Sequence, residues 1–415
     1  MARWSAVAAL SCLLTASTAE AKFLPCDPLP LSVEGLKRVS PSVIDEVLPR
    51  AMPACLTDEE LAELERRLWS LGIFDSVQVR RHDDAVAIKV REKWTLIPGA
   101  DLSIGRSISD SFVLLSLAEA NLFGRAQVLY AYGAYVQRQL GGEISWWEHE
   151  SAARRVTFEA VGTYLGSDVF FEDDTYAWTR RRAGGKVGVR LPFAYGSRWR
   201  LAVLGLGYHE RSTGSIPAAL PNDGAYVALG TRIAWEGYEW HDLAPKGFRL
   251  LSELLPGGFI DGDSKLRNRS SVTVQGLSAI RLTDTTGMLV NTVVEGANPG
   301  DPNHSHLLGT IRGVRGLPDN LYRDAAHAFT NVELRFATEL VPRWYLQGVF
   351  FSDAAAYVRM NEVGRLTQPG VALGAGIGVR IVPTVFALVV PRLDVGSLLW
   401  PAGIPFFNFG FSQYF

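Results

Sequence analysis

What this chain lacks narrows its chemistry first. It has no surplus of either charge: 41 basic residues stand against 43 acidic ones, a net charge of −2. Nucleic acid requires a concentrated basic surface, so no nucleic-acid partner is expected. Although 47% of the residues are hydrophobic, no apolar run after residue 21 reaches the roughly 18 residues of a membrane-spanning helix. No Ser/His/Asp order points to a catalytic triad, so the chain is not expected to be an enzyme. His304 and His306 have no cysteine or third histidine near them in sequence and read as a solvated pair. Gly374-x-Gly376-x-Gly378 opens no helix, which sets aside a dinucleotide loop. Gly262-Asp263-Ser264 reads as a turn, not as a hydrolase serine. No metal and no other cofactor are expected.

What is present begins with an export signal. Residues 1–21 combine Arg3, the apolar stretch Trp4–Leu14 and a small-residue cleavage site, Ala19-Glu20-Ala21, the pattern of a secretory signal peptide. Cysteine is scarce, three in all, and two follow the signal, Cys26 and Cys55. In an exported chain such a pair forms a disulfide more readily than a metal site. Residues 22–94 then read as a small α+β domain. A strand covers residues 29–36, and Ser40-Pro41 supplies an N-cap with proline at the first helical position for a short helix to about Arg50. Thr57 with Glu60 makes a capping box for a helix that turns Leu61, Leu64, Leu68 and Leu71 to one face and stops at Gly72. Residues 76–81 and 85–91 alternate as a hairpin.

From Trp94 onward helix signals nearly vanish. About sixteen segments alternate apolar with small or polar residues, the signature of a transmembrane β-barrel, here over residues 95–415. Strands are expected at 97–105, 111–122, 125–137, 142–150, 154–166, 181–193, 197–209, 224–237, 247–257, 269–282, 287–296, 327–338, 343–358, 369–382, 385–396 and 405–415. Short and long connections alternate between them, as barrel turns and outer loops do and a soluble sandwich has no reason to. The sixth long loop, residues 297–326, carries the polar, glycine-punctuated Thr310–Asn320. Alternation places Glu333, Asp353 and the glycines 374, 376 and 378 on the lumen face. A loop arginine entering there, Arg315, would meet carboxylates in a partly desolvated space, beside a wall flat enough for backbone contact.

These parts resemble a known family. The strand-helix-helix-strand-strand order with Leu71-Gly72-Ile73-Phe74-Asp75-Ser76-Val77-Gln78-Val79 resembles a POTRA domain (polypeptide-transport-associated). With the barrel, Val314-Arg315-Gly316, Phe351-Ser352-Asp353, Asn331–Phe336 and the turn residues Asp242, Pro245 and Gly247, the chain resembles the BamA/TamA-like superfamily. Leu317 departs from that pattern, where an aromatic normally follows V-R-G, and Ala355 stands where a glycine usually follows the aspartate. A single POTRA domain is a further departure and leaves the pathway open. The resemblance implies insertion of outer-membrane proteins or translocation of proteins, the alternative being a pore or dedicated transporter of protein or lipid. It implies outer-membrane lipid around the barrel, a periplasmic POTRA domain that binds an unfolded or exported client, and accessory periplasmic or lipoprotein partners. Phe415 would end a C-terminal insertion signal. The implied opening is the seam between the first strand (Ala100, Leu102, Ile104), short and flanked by Pro98, Gly99 and Gly105, and the last (Phe407, Phe409, Phe411).

Overall fold

The computed structural model describes residues 29–50, 55–82, 85–103, 112–136, 139–149, 156–170, 176–193, 197–214, 223–260, 269–298, 306–308, 313–317, 322–361, 365–387, 389–401, 403 and 405–411. The expected signal peptide, Cys26, Ile104, Gly262-Asp263-Ser264, His304 and Phe415 lie outside these residues. Cys55 is disulfide-bonded.

The small domain follows its end signals. Ser40 caps α1 (Pro41–Val47), its hydroxyl accepting from the Ser42 N–H. The helix stops before the expected Arg50 because Leu48 precedes Pro49 and is held extended at ψ 138°, as the residue before a proline prefers. Thr57 and Glu60 close a capping box on α2 (Asp58–Ser70), and Leu61, Leu64 and Leu68 turn inward. Strands β1 (Leu31–Glu34), β2 (Phe74–Arg81) and β3 (Val86–Glu92) make a sheet in the order β1-β3-β2, with β1 parallel to β3 and β2 antiparallel to it. Val43, Ile44, Leu64, Leu68, Phe74 and Ile88 fill the space between helices and sheet.

The barrel runs through β4 (Leu96–Ser103), β5 (Phe112–Leu122), β6 (Gln127–Val136), β7 (Gln139–Glu148), β8 (Thr157–Phe170), β9 (Tyr176–Pro192), β10 (Trp199–Gly214) and β11 (Asp223–Glu236). It continues through β12 (Gly247–Leu255) with its extension β13 (Gly257–Phe259), β14 (Ser271–Arg281), and β15 (Thr286–Ala297) with its extension β16 (His306–Leu308). The last strands are β17 (Tyr322–Val341), β18 (Trp344–Met360), β19 (Leu366–Pro383), β20 (Arg392–Trp400) and β21 (Pro405–Gly410). Counting each extension with its strand, sixteen strands close antiparallel, β21 onto β4. Leu115, Ile144, Val187, Leu229, Phe350 and Ile377 each point outward and are more than half exposed. An apolar band on that scale is a membrane-facing surface. No helix among the described residues is long and apolar enough to cross a membrane.

Several strand boundaries differ from the sequence expectation by up to seven residues, and two of the shifts have a visible cause. The apolar run 385–390 is not the start of β20. It lies at the rim, where the Trp94 N–H bonds the Val385 carbonyl and the Ala387 N–H bonds the Trp94 carbonyl, both at 2.8 Å. The sixth long loop is also shorter than expected. β17 begins at Tyr322, and a register shift between Asp324 and Ala326 breaks the period of two there, which hides the strand from an alternation argument.

The small domain docks on one rim of the barrel. Its Ser40 N–H bonds the Gly124 carbonyl at 2.8 Å, Glu63 pairs with Arg198 at 2.7 Å, and Asp75 pairs with Arg343 at 2.7 Å. Lys93, 1% exposed, donates to both oxygens of Asp242 at 2.7 Å. Gly124, Arg198 and Arg343 lie at or beside connections expected to be short, and Asp242 lies in the longer 238–246 turn at the same end, so the small domain sits on the rim opposite the long loops.

Candidate functional site

The site is built on the lumen face of β17 to β20. Residues Gly313–Leu317 lie inside the barrel, with Val314, Arg315 and Leu317 all fully buried. Arg315 Nε and Nη2 donate to Asp353 Oδ2 and Oδ1, both at 2.8 Å, and its backbone N–H donates to the same carboxylate at 3.0 Å. Nη1 donates to Glu333 Oε1 at 2.8 Å. The guanidinium also lies over the Phe351 ring, 3.6 Å from its centroid. That accounts for the F-x-D spacing on β18. Residues two apart share a strand face, so Phe351 offers a plane where Asp353 offers a fork, and a guanidinium uses both.

Glu333 holds more than the loop. Arg335 Nε and Nη2 donate to its Oε2 at 2.8 and 2.5 Å, and Arg380 Nη1 and Nη2 donate to Oε2 and Oε1 at 2.9 and 2.7 Å. The Asn331 amide donates to the Gly313 carbonyl at 2.6 Å and to Asp353 Oδ1 at 2.9 Å. Asp394 lies 3.8 Å from Arg315 Nη1, 4.0 Å from Arg380 Nη2 and 3.6 Å from Arg392 Nη1, and Arg392 reaches Asp101 at 3.3 Å. The network thus sets four arginines (315, 335, 380, 392) against four carboxylates (101, 333, 353, 394). No charge in it is left without an opposite, which a desolvated lumen demands.

The glycines earlier placed on the inner wall serve this approach. A Cβ on Gly374 would lie 3.0 Å from the Arg315 carbonyl and 3.3 Å from Val314 Cγ1, so the loop backbone rests directly on β19. Gly376 and Gly378 leave room for Phe351 and Asp394 in the same way. Gly316 has φ +91°, and a Cβ there would lie 2.4 Å from Phe406 Cδ1. The two departures from the family pattern fall in one cluster. Leu317 and Ala355 are both buried with Val293, Leu308, Phe329, Tyr357, Ala372 and Leu398. A side chain smaller than an aromatic at 317 and larger than glycine at 355 keeps that cluster filled.

Every residue expected of the loop lock is therefore assembled, together with six that the sequence expectation left out of it: Asp101, Asn331, Arg335, Arg380, Arg392 and Asp394. A signal was available. Alternation already put two acids, Glu333 and Asp353, on the lumen face with a single loop arginine to answer them. Lys93, the partner of Asp242, was likewise missed. At the seam, Leu102 and Phe409 are direct register partners, and Phe407 faces outward. Ala100 and Phe411 lie beyond the last described pair. Among the described residues no group of three His, Cys, Asp or Glu side chains is arranged to hold a metal ion.

A closed sixteen-stranded barrel with an arginine loop locked into its lumen is the architecture that the BamA/TamA-like resemblance implied, and the likeness extends to known proteins. No protein-family model matches the chain. It is 27% identical over 115 residues to the outer membrane protein assembly factor BamA of Neisseria meningitidis serogroup B, a match covering 27% of this chain and 14% of that protein. In fold it is similar to BamA from Haemophilus ducreyi lacking POTRA domains 1–3, with TM-score 0.53, 13% identity, and 93% of this chain and 84% of that one covered. It is similar to CdiB from Acinetobacter baumannii, with TM-score 0.58, 14% identity, and 93% and 74% covered. CdiB from Escherichia coli gives TM-score 0.51 and 11% identity, with 96% and 93% covered. The fold is that of the BamA and CdiB barrels.

Proposed function

We propose that this protein inserts proteins into, or translocates them across, the bacterial outer membrane, without catalysis and without a cofactor. The single observation behind this reading is the fully buried Arg315 lock beside a weakly joined seam. The small domain acts as a periplasmic POTRA domain and takes an unfolded or exported client by adding it to a sheet edge. In β2 the Val79 N–H is already taken by Glu65 Oε2 at 3.2 Å, which leaves β1 as the more open edge. The client then meets the barrel where β4 and β21 part. An aromatic last strand whose Phe407 and Phe409 share the lipid side offers a template for a client strand. Accessory periplasmic or lipoprotein partners would dock on the small domain or its rim.

The pore or dedicated-transporter reading is less favoured, because Leu308, Val314 and Leu317 pack into the lumen against the wall. A barrel filled in this way conducts little at rest. The test is conductance in a planar lipid bilayer, paired with the outer-membrane proteins lost when the chain is depleted. A small resting conductance with loss of several barrel proteins or of one exported client supports the proposal. A large, steady conductance with an unchanged outer-membrane proteome overturns it.

A further inference from the structure

Resting on the reading that the β4–β21 seam opens, we propose that Asp101 and Arg392 form the latch that holds it shut, and that Asp394 ties this latch to Arg315. β20 and β4 are not neighbours, since β21 runs between them. Arg392 on β20 nevertheless reaches Asp101 on β4, Nη2 to Oδ1 at 3.3 Å. It does so over a glycine. Arg392 is the register partner of Gly410, and Gly410 is the partner of Asp101. A Cβ on Gly410 would lie 2.0 Å from Asp101 Oδ1 and 2.9 Å from Arg392 Nε. The missing side chain is what lets the pair span the last strand.

The pair matters because the described ladder across the seam is short. Among the described residues β21 meets β4 at three register pairs, whereas β18 meets β19 at sixteen. The latch therefore adds a charge-assisted contact where the ladder is shortest. It also stitches β20 to β4, so the seam cannot part without breaking it.

Asp394 supplies the connection to the loop. It lies two residues from Arg392 on β20 and is fully buried, and among the described residues its carboxylate accepts no direct hydrogen bond. Instead it stands 3.6 to 4.0 Å from Arg392, Arg315 and Arg380. A shared acid answers whichever arginine is nearest. With Arg315 in the lumen, part of that demand is met and Arg392 is free to hold Asp101. With Arg315 withdrawn, Asp394 draws Arg392 away and the latch loosens.

The reporter is a cysteine pair at the register partners Leu102→Cys and Phe409→Cys, which lie on the lipid side, away from the latch. The full chain is placed in phospholipid vesicles, and the rate of disulfide formation under mild oxidant is followed. Asp101→Asn and Arg392→Gln should each slow it by about threefold or more, the scale of coupling between directly interacting groups. Gly410→Ala keeps both charges but displaces the pair, and should slow it as well. The exchange Asp101→Arg with Arg392→Asp should recover the parent rate. Arg315→Lys should slow cross-linking in the parent and add nothing in an Asp394→Asn background. Parent-like rates in all three latch variants overturn the latch. An Arg315→Lys effect of equal size in both backgrounds overturns the tie through Asp394. No client is used, so this outcome is separate from whether the protein inserts or exports anything.

Discussion

At the scale of single residues, the account rests on charges that have lost their water. Arg315 answers Asp353 with three donors and Glu333 with one. Removing one partner of such a buried set typically costs roughly 3–5 kcal/mol, because the other is left uncompensated. Arg315→Ala should give a barrel that still inserts but melts earlier and has a protease-sensitive sixth loop. Arg315→Lys should recover only part of this, since an ammonium cannot present a planar fork. Thermal scans and limited proteolysis of the purified protein check both; an alanine variant as stable as the parent would contradict the lock. Glu63 makes a second residue-scale case. Burial alone would raise its pKa, but bonds and ion pairs from Arg66 and Arg67 outweigh that and bring it from an ordinary 4.5 down to about 2. Its folded value lies below its unfolded one, so its contribution is present at neutral pH and is lost as pH falls from about 4.5 toward about 2. Glu63→Gln should lower stability at pH 7 by about 1–3 kcal/mol and leave less to lose on acidification. Melting curves at several pH values decide this.

At the scale of elements, local signals were legible wherever one rule acted alone. The N-caps Ser40 and Thr57, the leucine face of α2 and the outward apolar alternation along the barrel all follow from neighbours in sequence. So did the lumen side of Glu333, Asp353 and the three glycines, because alternation fixes a face without knowing the partner strand. The failures came where tertiary contact chose. Val385 to Val390 form a continuous apolar run that reads as a buried strand, yet residues 385 and 387 spend their backbone bonds on Trp94 at the rim. The bulge at Asp324 hid the start of β17. Arg380 falls two residues after Gly378 and so on the same lumen face, but its pairing with Glu333 depends on cross-strand register, which no single strand encodes. Lys93 and Asp242 lie 149 residues apart, and their contact joins two domains. Lys93→Ala should therefore strand Asp242 and weaken docking, at a cost of roughly 3 kcal/mol or more. The measurement is the protease sensitivity of the linker around Trp94. Cleavage there should rise several-fold while the barrel strands stay protected, and unchanged cleavage would contradict the docking role.

At the scale of the whole molecule, the parts form one arrangement. A small domain sits on one rim, residues Gly313–Leu317 of a loop from the opposite side pack against the lumen wall, and among the described residues the ladder is shortest where β4 meets β21. The charges that hold the loop continue through Asp394 and Arg392 to that same junction, so the stable interior and the weak edge are connected. The central claim is that the weak edge opens during function. The most direct test locks it with a disulfide between Leu102→Cys and Phe409→Cys, register partners close enough for such a bond. Insertion of barrel proteins and export of the client are then compared in oxidised and reduced cells. The account predicts that the oxidised protein is folded but inactive and that reduction restores activity; a locked barrel that works as well as the reduced one would contradict it.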